Sequence, residues 1–540
     1  MRSSYVLLSI LLCPAALAPG QPVVDAGPAP SWRESYFAGN PLHIGNCPQF
    51  LLDDYLVEDT FGLDRVLGPV EKYAGNPLTI GATMPWEAAS LSFAGANLRH
   101  IIYDPQEQIF KGWYVTYRVG PDPRGPGTNY NYDTLYAESQ DGITWEKPAL
   151  DFYPFNGQKT NTVLHMDQET ALLEEVMLDP EPQDPARRFV ALVKTIPPEE
   201  NIRCIVRMYS PDGKKWTLDD DPVLFRGASD GAYSLVKDED RGRWLLYRRP
   251  PTRALENDSD PFYGHRNNKR RFSVSTSADG RSWTYPRGIV MLDEQDNARL
   301  EQMGNRMDID WSTAMIQDGM FFGFLSLLDN LKIAVPVHNH LMWSRDGLDW
   351  ERLPLRPNFI ENGAPGDWDA QSVSVSTLIP HGDRFHIYYS GSNTTQSFYG
   401  REGEENIPRF SGSGLAFIGR DRFTGHHAGP EGGYLLTRQF ILDGNRLEVN
   451  IRPNTGNPPP GQESHITAEL LQPVTEHFPA GNYPGFGLED CDVVPVGDAF
   501  NHAITWKGSG DLTALKGKPV YIRFNIKNAT LYTFTIGNAP

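Results

Sequence analysis

Ser139-Gln-Asp141-Gly142-Ile-Thr-Trp145 is the first of four copies of Ser-x-Asp-Gly-x-x-Trp. It is followed by Ser210-Pro-Asp212-Gly213-Lys-Lys-Trp216, Ser277-Ala-Asp279-Gly280-Arg-Ser-Trp283 and Ser344-Arg-Asp346-Gly347-Leu-Asp-Trp350. The aspartates stand 71, 67 and 67 residues apart, and a weaker fifth copy, Gly419-Arg-Asp421-Arg-Phe423, comes 75 residues after Asp346. Asp-Gly between alternating apolar residues signals a tight primed hairpin, because glycine accepts the positive φ such a turn needs. A repeat of this length that carries hairpins reads as one propeller blade, so five copies predict five blades.

A second repeat runs out of phase with the first. The segments Ile101–Tyr117, Val176–Val193, Ala232–Arg248, Ala314–Leu325 and Ser374–Ser390 each read as strand, acidic or glycine turn, strand. Two hairpins per unit make the four strands of a blade. The predicted fold is therefore all-β, a five-bladed β-propeller over 46–424 followed by a β-sandwich over 425–540, where short alternating segments such as Ala503–Trp506 and Val520–Ile526 replace the repeat. The break is expected at His426-His427-Ala-Gly-Pro-Glu-Gly-Gly433, with both histidines solvated in a Gly-rich linker. The strand from Gln49 to Val57 is expected to complete the fifth blade or to line the central funnel.

Composition limits the classes of function. The chain has 540 residues, a hydrophobic content of 39% and a net charge of −19, which disfavour nucleic acid and anionic membranes as partners. Residues 1–20, with Arg2, an apolar run from Tyr5 to Leu12 and small residues after it, read as a secretory signal peptide, and 21–45 read as a linker. No segment reaches the ~20 apolar residues of a membrane anchor, and Cys13 lacks the small-residue context of a lipoprotein. The expected location is secreted or periplasmic. Cys47, Cys204 and Cys491 permit at most one disulfide. Asn393-Thr-Thr and Asn528-Ala-Thr are glycosylation acceptors in a eukaryotic host.

Blades radiate from an axis, so the starts of their innermost strands converge. Acids recur there: Trp86-Glu87 with Arg99-His100 in blade one, Glu174-Glu175 in blade two, Asp230 in blade three, Asp308 and Asp310-Trp311 in blade four, Trp368-Asp369 in blade five, and Asp53 on the lead-in strand. Glycoside hydrolysis needs a carboxylic acid to protonate the leaving oxygen and a carboxylate to attack or to activate water. Asp53, Glu175, Asp230, Asp310 and Asp369 are the catalytic candidates. Glu87, Trp86, Arg99, His100, Asp308, Trp311 and Trp368 are the substrate-binding candidates, the aromatic ones as sugar platforms. An acid before a strand is also a common turn former bonded to its own backbone. His338-Asn-His340 reads as ordinary surface histidines or as a metal pair without an identifiable third ligand, so no cofactor is assigned, although a structural or catalytic metal ion is compatible. Arg187-Arg188, Arg248-Arg249 and Lys269-Arg270-Arg271 are exposed faces or sites for a sugar carboxylate or sulfate.

Several stretches resemble secreted, mostly bacterial, glycoside-hydrolase-like proteins. They are Phe50-Leu-Leu-Asp53-Asp54-Tyr-Leu, Pro85-Trp86-Glu87, Tyr103-Asp104-Pro with Phe110-Lys-Gly-Trp113-Tyr114, the Ser-x-Asp-Gly-x-x-Trp turns, Phe423, Phe486-Gly-Leu-Glu-Asp490-Cys491, Trp506-Lys-Gly, and Ile522-Arg-Phe with Leu531-Tyr-Thr-Phe. The N-terminal domain of that group is similar to the five-bladed propeller of glycoside hydrolase families 32 and 43. The resemblance covers about 46 to 536 and implies that Asp53, Asp230, Asp310 and Asp369 occupy places comparable to the acids of those families. The family 32 signatures Asn-Asp-Pro-Asn, Arg-Asp-Pro and Glu-Cys are not present as such, so roles are not carried over. The sialidase Asp-box has an extra residue between Asp and Gly, and sialidases use six blades and an arginine triad, which disfavours that class.

The sequence therefore predicts a secreted glycosidase that acts on an oligo- or polysaccharide by carboxylate acid/base catalysis in the propeller funnel. The alternatives are a non-catalytic carbohydrate-binding propeller and a structural or partner-binding exported protein.

Overall fold

The computed structural model describes residues 41–78, 80, 83–87, 98–121, 128–165, 172–179, 182–197, 199–200, 202–228, 233–249, 271–296, 307–329, 336–394, 410–454, 463–473, 481–493 and 497–538. The signal-peptide reading, most of the linker, Lys269, Arg270, Asp230 and the side chain of Trp311 lie outside them. The chain is almost entirely β, with 56% strand against 2% helix. Among the described residues no helix is long and apolar enough to cross a membrane.

Five four-stranded sheets, called I to V, follow one another in the chain. Sheet I holds Leu98–Asp104, Ile109–Pro121, Thr128–Ser139 and Thr162–Leu164; sheet II holds Leu172–Leu178, Phe189–Thr195, Cys204–Ser210 and Thr217–Arg226. Sheet III holds Tyr233–Asp238, Arg243–Arg248, Phe272–Ser277 and Arg287–Val290; sheet IV holds Met307–Gln317, Met320–Asp329, His338–Ser344 and Glu351–Arg352. Sheet V is built from Ser372–His381, Arg384–Ser392, Ser411–Gly419 and, on its edge, Glu71–Lys72. The out-of-phase repeat makes the first two strands of every sheet.

The Ser-x-Asp-Gly turns follow the third strand of sheets I to IV. They are longer than the two-residue primed hairpin expected from Asp-Gly. In sheet II the Asp212 carboxylate accepts from the backbone N–H of Lys214 at 2.9 Å and of Lys215 at 3.0 Å, while Ser210 Oγ accepts from Gly213 N at 2.8 Å. Asp141, Asp279 and Asp346 each accept from the same two backbone positions. This is an Asx-type turn, in which a side chain satisfies backbone donors that a strand ladder would leave open.

The glycine takes a positive φ (+77° at Gly213) and offers its carbonyl to the preceding sheet. Trp113 Nε1 of sheet I donates to Gly213 O of sheet II at 2.9 Å, Arg207 Nη1 of sheet II to Gly280 O at 2.7 Å, and Tyr247 OH of sheet III to Gly347 O at 2.8 Å. Tyr388 OH of sheet V donates to Gly142 O of sheet I at 2.8 Å, so the fifth sheet is clipped to the first. Aromatic side chains fill the wedges beside these clips; Trp113, Phe189 and Trp216 lie between sheets I and II. The fifth copy is a different turn. At Asp421 the aspartate itself has a positive φ (+60°), Arg422 N bonds Gly419 O at 3.1 Å, and the carboxyl is buried.

Leu150–Phe155 and Gln158–Thr160 form a two-stranded sheet, and the other described strands form two six-stranded sheets around a separate apolar core that includes Leu447, Ile451, Phe524 and Phe534. In Pro519–Lys527 buried and half-buried residues alternate strictly, the period of a strand with one face on a core. Described residues 41–69, 317–320 and 419–538 make this compact unit, and 70–316 with 321–418 make the other. Three expectations are corrected here. Gln49–Phe50 does not complete the fifth sheet but pairs with Phe534 and Thr533, and Asp53 lies in this second unit. The edge of sheet V is instead closed by Glu71–Lys72, pairing with Phe417 and Ala416. His426 and His427 stand in the strand Thr424–Ala428 rather than in a linker; His426 is buried, with Nε2 3.2 Å from Leu51 O. Cys204 and Cys491 are free thiols.

Candidate active site

The first strands of the sheets neighbour one another in turn. Ser372–His381 packs on Leu98–Asp104, that strand on Leu172–Leu178, and that on Tyr233–Asp238. Ala314 N donates to Ser234 Oγ and joins sheet IV to sheet III. Most of the candidate acids stand on or just before these strands, and the structure divides them into two groups.

The first group is neutralised by partners far away in the sequence. Glu87 is buried; its Oε2 accepts from Thr83 N and Met84 N at 2.9 Å, Tyr114 OH donates to Oε1, and Lys147 Nζ lies 2.8 Å from both oxygens. Trp86 Nε1 donates to Asn161 Oδ1 at 2.8 Å, so the segment 83–87 is a clasp on sheet I. Asp369 Oδ2 accepts from Lys72 Nζ at 2.7 Å and Tyr389 OH at 3.0 Å, under Trp368, which stacks on Tyr389 at 5.8 Å. Glu174 is paired with Lys194 at 2.6 Å. Pairing is what a buried carboxylate requires, because an uncompensated charge there is strongly disfavoured.

The second group contains Glu175 and His100. They approach to 4.0 Å across sheets I and II, and Glu175 keeps 17% of its side-chain surface. Burial, and then the charge of Glu174, push the Glu175 carboxyl well above the usual carboxylate range against the pull of Val176 N–H. Burial and then Arg99 lower His100 to about 3, and its Nε2 is buried without a hydrogen-bond partner. Burial thus disfavours the charged form of both groups. On sheet IV, Asp308 Oδ1 accepts from Ile309 N at 3.0 Å, and the backbone oxygen of Asp310 accepts from Arg249 Nη2 at 2.7 Å; both aspartates are buried.

One constellation was not legible in the sequence. Asp133 on the third strand of sheet I meets His165 Nδ1 at 2.5 Å, with Tyr153 against the imidazole. These residues are 32 positions apart and carry no motif, so only the pairing of Thr162–Leu164 with Thr128–Ser139 joins them. His338 and His340 share a strand face, and among the described residues no group of three metal-ligating side chains forms. Arg188 is bound to Asp104 as a structural ion pair.

No family model matches the chain, and no curated protein matches it. Solved structures similar to it include one described as a glycoside hydrolase (15% identity, TM-score 0.40, covering 65% of this chain and 92% of that one). A second is the β-1,2-mannobiose phosphorylase from Listeria innocua in complex with β-1,2-mannobiose (12% identity, TM-score 0.40, 65% and 96%). A third is the GH43 endo-arabinanase from Bacillus licheniformis (11% identity, TM-score 0.30, 61% and 97%). At such identities no side chain of theirs can be equated with one here.

Proposed function

We propose that the protein is an exported glycosidase whose five sheets form a propeller, with catalysis at the starts of the inner strands. Glu175 is the proton donor to the leaving glycosidic oxygen. The observation that carries this reading is the setting of Glu175: partly accessible, 4.0 Å from His100, and with its carboxyl pushed well above the usual carboxylate range by burial and then by Glu174. A general acid must hold its proton at working pH until the bond breaks. Neutral His100 beside it keeps the surroundings free of a positive charge that would strip that proton. Asp310, and Asp230, which precedes the first strand of sheet III in the sequence, are the carboxylates proposed to attack or to activate water, with Asp308 as a reserve.

The test is turnover on a panel of aryl-glycosides and polysaccharides. Glu175→Gln is expected to lower turnover at least ~100-fold with folding intact, and Asp310→Asn or Asp230→Asn by a similar factor. Undiminished activity in Glu175→Gln would remove the acid from this position. A second reading, a carbohydrate-binding propeller without a competent acid pair, is favoured by one observation: Glu87, Glu174 and Asp369 are all matched by lysines. It predicts glycan binding in wild type with no released reducing ends.

A further inference from the structure

Five arginines are buried among the described residues: Arg188, Arg207, Arg248, Arg422 and Arg438. Four have acceptors. Arg188 holds Asp104, Arg207 holds Asp219 and Gly280 O, Arg422 holds Asn450 Oδ1 and Asp498, and Arg438 reaches Tyr55 O. Arg248 is the exception. It is 5% exposed, its Nε is buried without an acceptor, and its guanidinium carbon lies 4.0 Å from the centre of the Phe225 ring. Among the described residues, the ionisable groups acting on it are the phenols of Tyr233 and Tyr285, with no carboxylate among them. In a chain of net charge −19, a desolvated cation left without an anion is a strongly unfavourable arrangement.

The position of this arginine matters as much as its lack of a partner. Arg248 ends the second strand of sheet III and pairs in register with Tyr233, the first residue of the inner strand, so it stands at the end of the sheet where the candidate acids begin. Its chain neighbour Arg249 already donates to Asp310 O. Phe225, from the edge strand of sheet II, supplies a flat face that fixes the guanidinium plane, and Tyr285, 84% exposed, offers a hydroxyl at the surface. A guanidinium held by an aromatic face keeps its fork of donors aligned for two oxygens of one anion.

We infer that Arg248 is the anion subsite of this funnel and that the glycan it receives is acidic, carrying a carboxylate or a sulfate ester. The inference rests on the glycan reading proposed above and specifies its substrate class. Carboxylate and sulfate share the chemistry that Arg248 recognises, and the experiment separates them.

Isothermal calorimetry with an oligogalacturonide, a sulfated oligosaccharide and a neutral oligosaccharide of equal length is run on wild type, Arg248→Met and Glu175→Gln. Wild type and Glu175→Gln are expected to bind one acidic glycan in preference to the neutral one, and Arg248→Met to bind it roughly 10- to 100-fold more weakly. In anion-free buffer Arg248→Met is expected to melt at or above the wild-type temperature, since it removes an unpaired buried charge. Low-millimolar sulfate or galacturonate at fixed ionic strength should raise the melting temperature of wild type and leave that of the variant unchanged. A lowered melting temperature for Arg248→Met without anion makes the arginine structural and overturns the inference, as does equal binding of acidic and neutral glycans by wild type. Full turnover by Glu175→Gln, with the Arg248 results as expected, defeats the catalytic assignment alone.

Discussion

The two ends of sheets I to IV treat their charged groups differently. At the Ser-x-Asp-Gly end every aspartate is met by donors. Burial opposes ionisation of Asp141, but the N–H groups of Thr144 and Ile143 and the Ser139 hydroxyl outweigh it and hold the carboxyl below its usual range. At the opposite end, where the first strands begin, burial pushes the Glu175 carboxyl up and lowers His100 to about 3, and Arg248 has no carboxylate acting on it among the described residues. One end commits its polar groups to turns and to joining sheets; the other, besides the lysine-matched Glu87, Glu174 and Asp369, leaves groups whose charged forms burial disfavours. The difference teaches where to look for chemistry in a molecule rich in acids, because polar groups satisfied from within are already committed to the fold.

The largest effect that tests this contrast belongs to the joining end. Gly213→Ala places a methyl carbon 2.7 Å from Trp113 Cζ2 at a residue with φ of +77°. Strain and overpacking together are expected to cost about 3 kcal/mol, read as a lower urea midpoint at constant m-value. A neutral result would mean that the sheet I–sheet II clip yields easily.

The second test is at the opposite end and uses pH. His100 titrates near 6.5 when unfolded and near 3 when folded, so below 6.5 the unfolded chain binds a proton that the native state refuses. Stability is therefore full above pH 6.5 and declines as pH falls toward 3, by about 2 kcal/mol at pH 5. Thermal melts from pH 7 to 4 should show a steeper decline in wild type than in His100→Asn. Parallel curves would place His100 in contact with water. Asp141, with its lowered value, contributes in a later window, losing its stabilisation only as the pH falls below the ordinary carboxylate range.

The smallest effect again concerns a turn. Asp212→Ala removes the acceptor of two backbone N–H groups and is expected to cost about 1 kcal/mol, with Asp212→Asn recovering part of it, by the same urea measurement.

These contrasts explain which features could be read from the chain. The turns were legible because serine, aspartate and glycine act within four consecutive residues, and the first hairpin of each sheet was legible for the same local reason. The clips were not, since Trp113 and Gly213 are 100 positions apart and nothing near either marks the other. Asp369 read as a catalytic candidate because its lysine lies 297 positions earlier, on a strand of two residues. Glu175 was visible as an acid beside an acid, but its protonation depends on how completely sheets I and II enclose it. Arg248 was visible only as half of a basic doublet. Its significance is that no described carboxylate meets it, and a sequence does not record which neighbours a folded side chain lacks.

The edge strand Glu71–Lys72 has a consequence for how the molecule comes into being. Beside it, Asn76 donates to the Leu415 carbonyl, 339 positions further along, and Leu63–Leu67 waits for Thr424–Ala428. A ribosome delivers the early segments long before their mates, so they must stay unpaired while more than half of the polypeptide is made. Sheets II, III and IV complete themselves from continuous stretches, whereas the last sheet closes only when chain made early meets chain made late. Such distant pairing is slow and leaves edges open to aggregation until the late strands arrive.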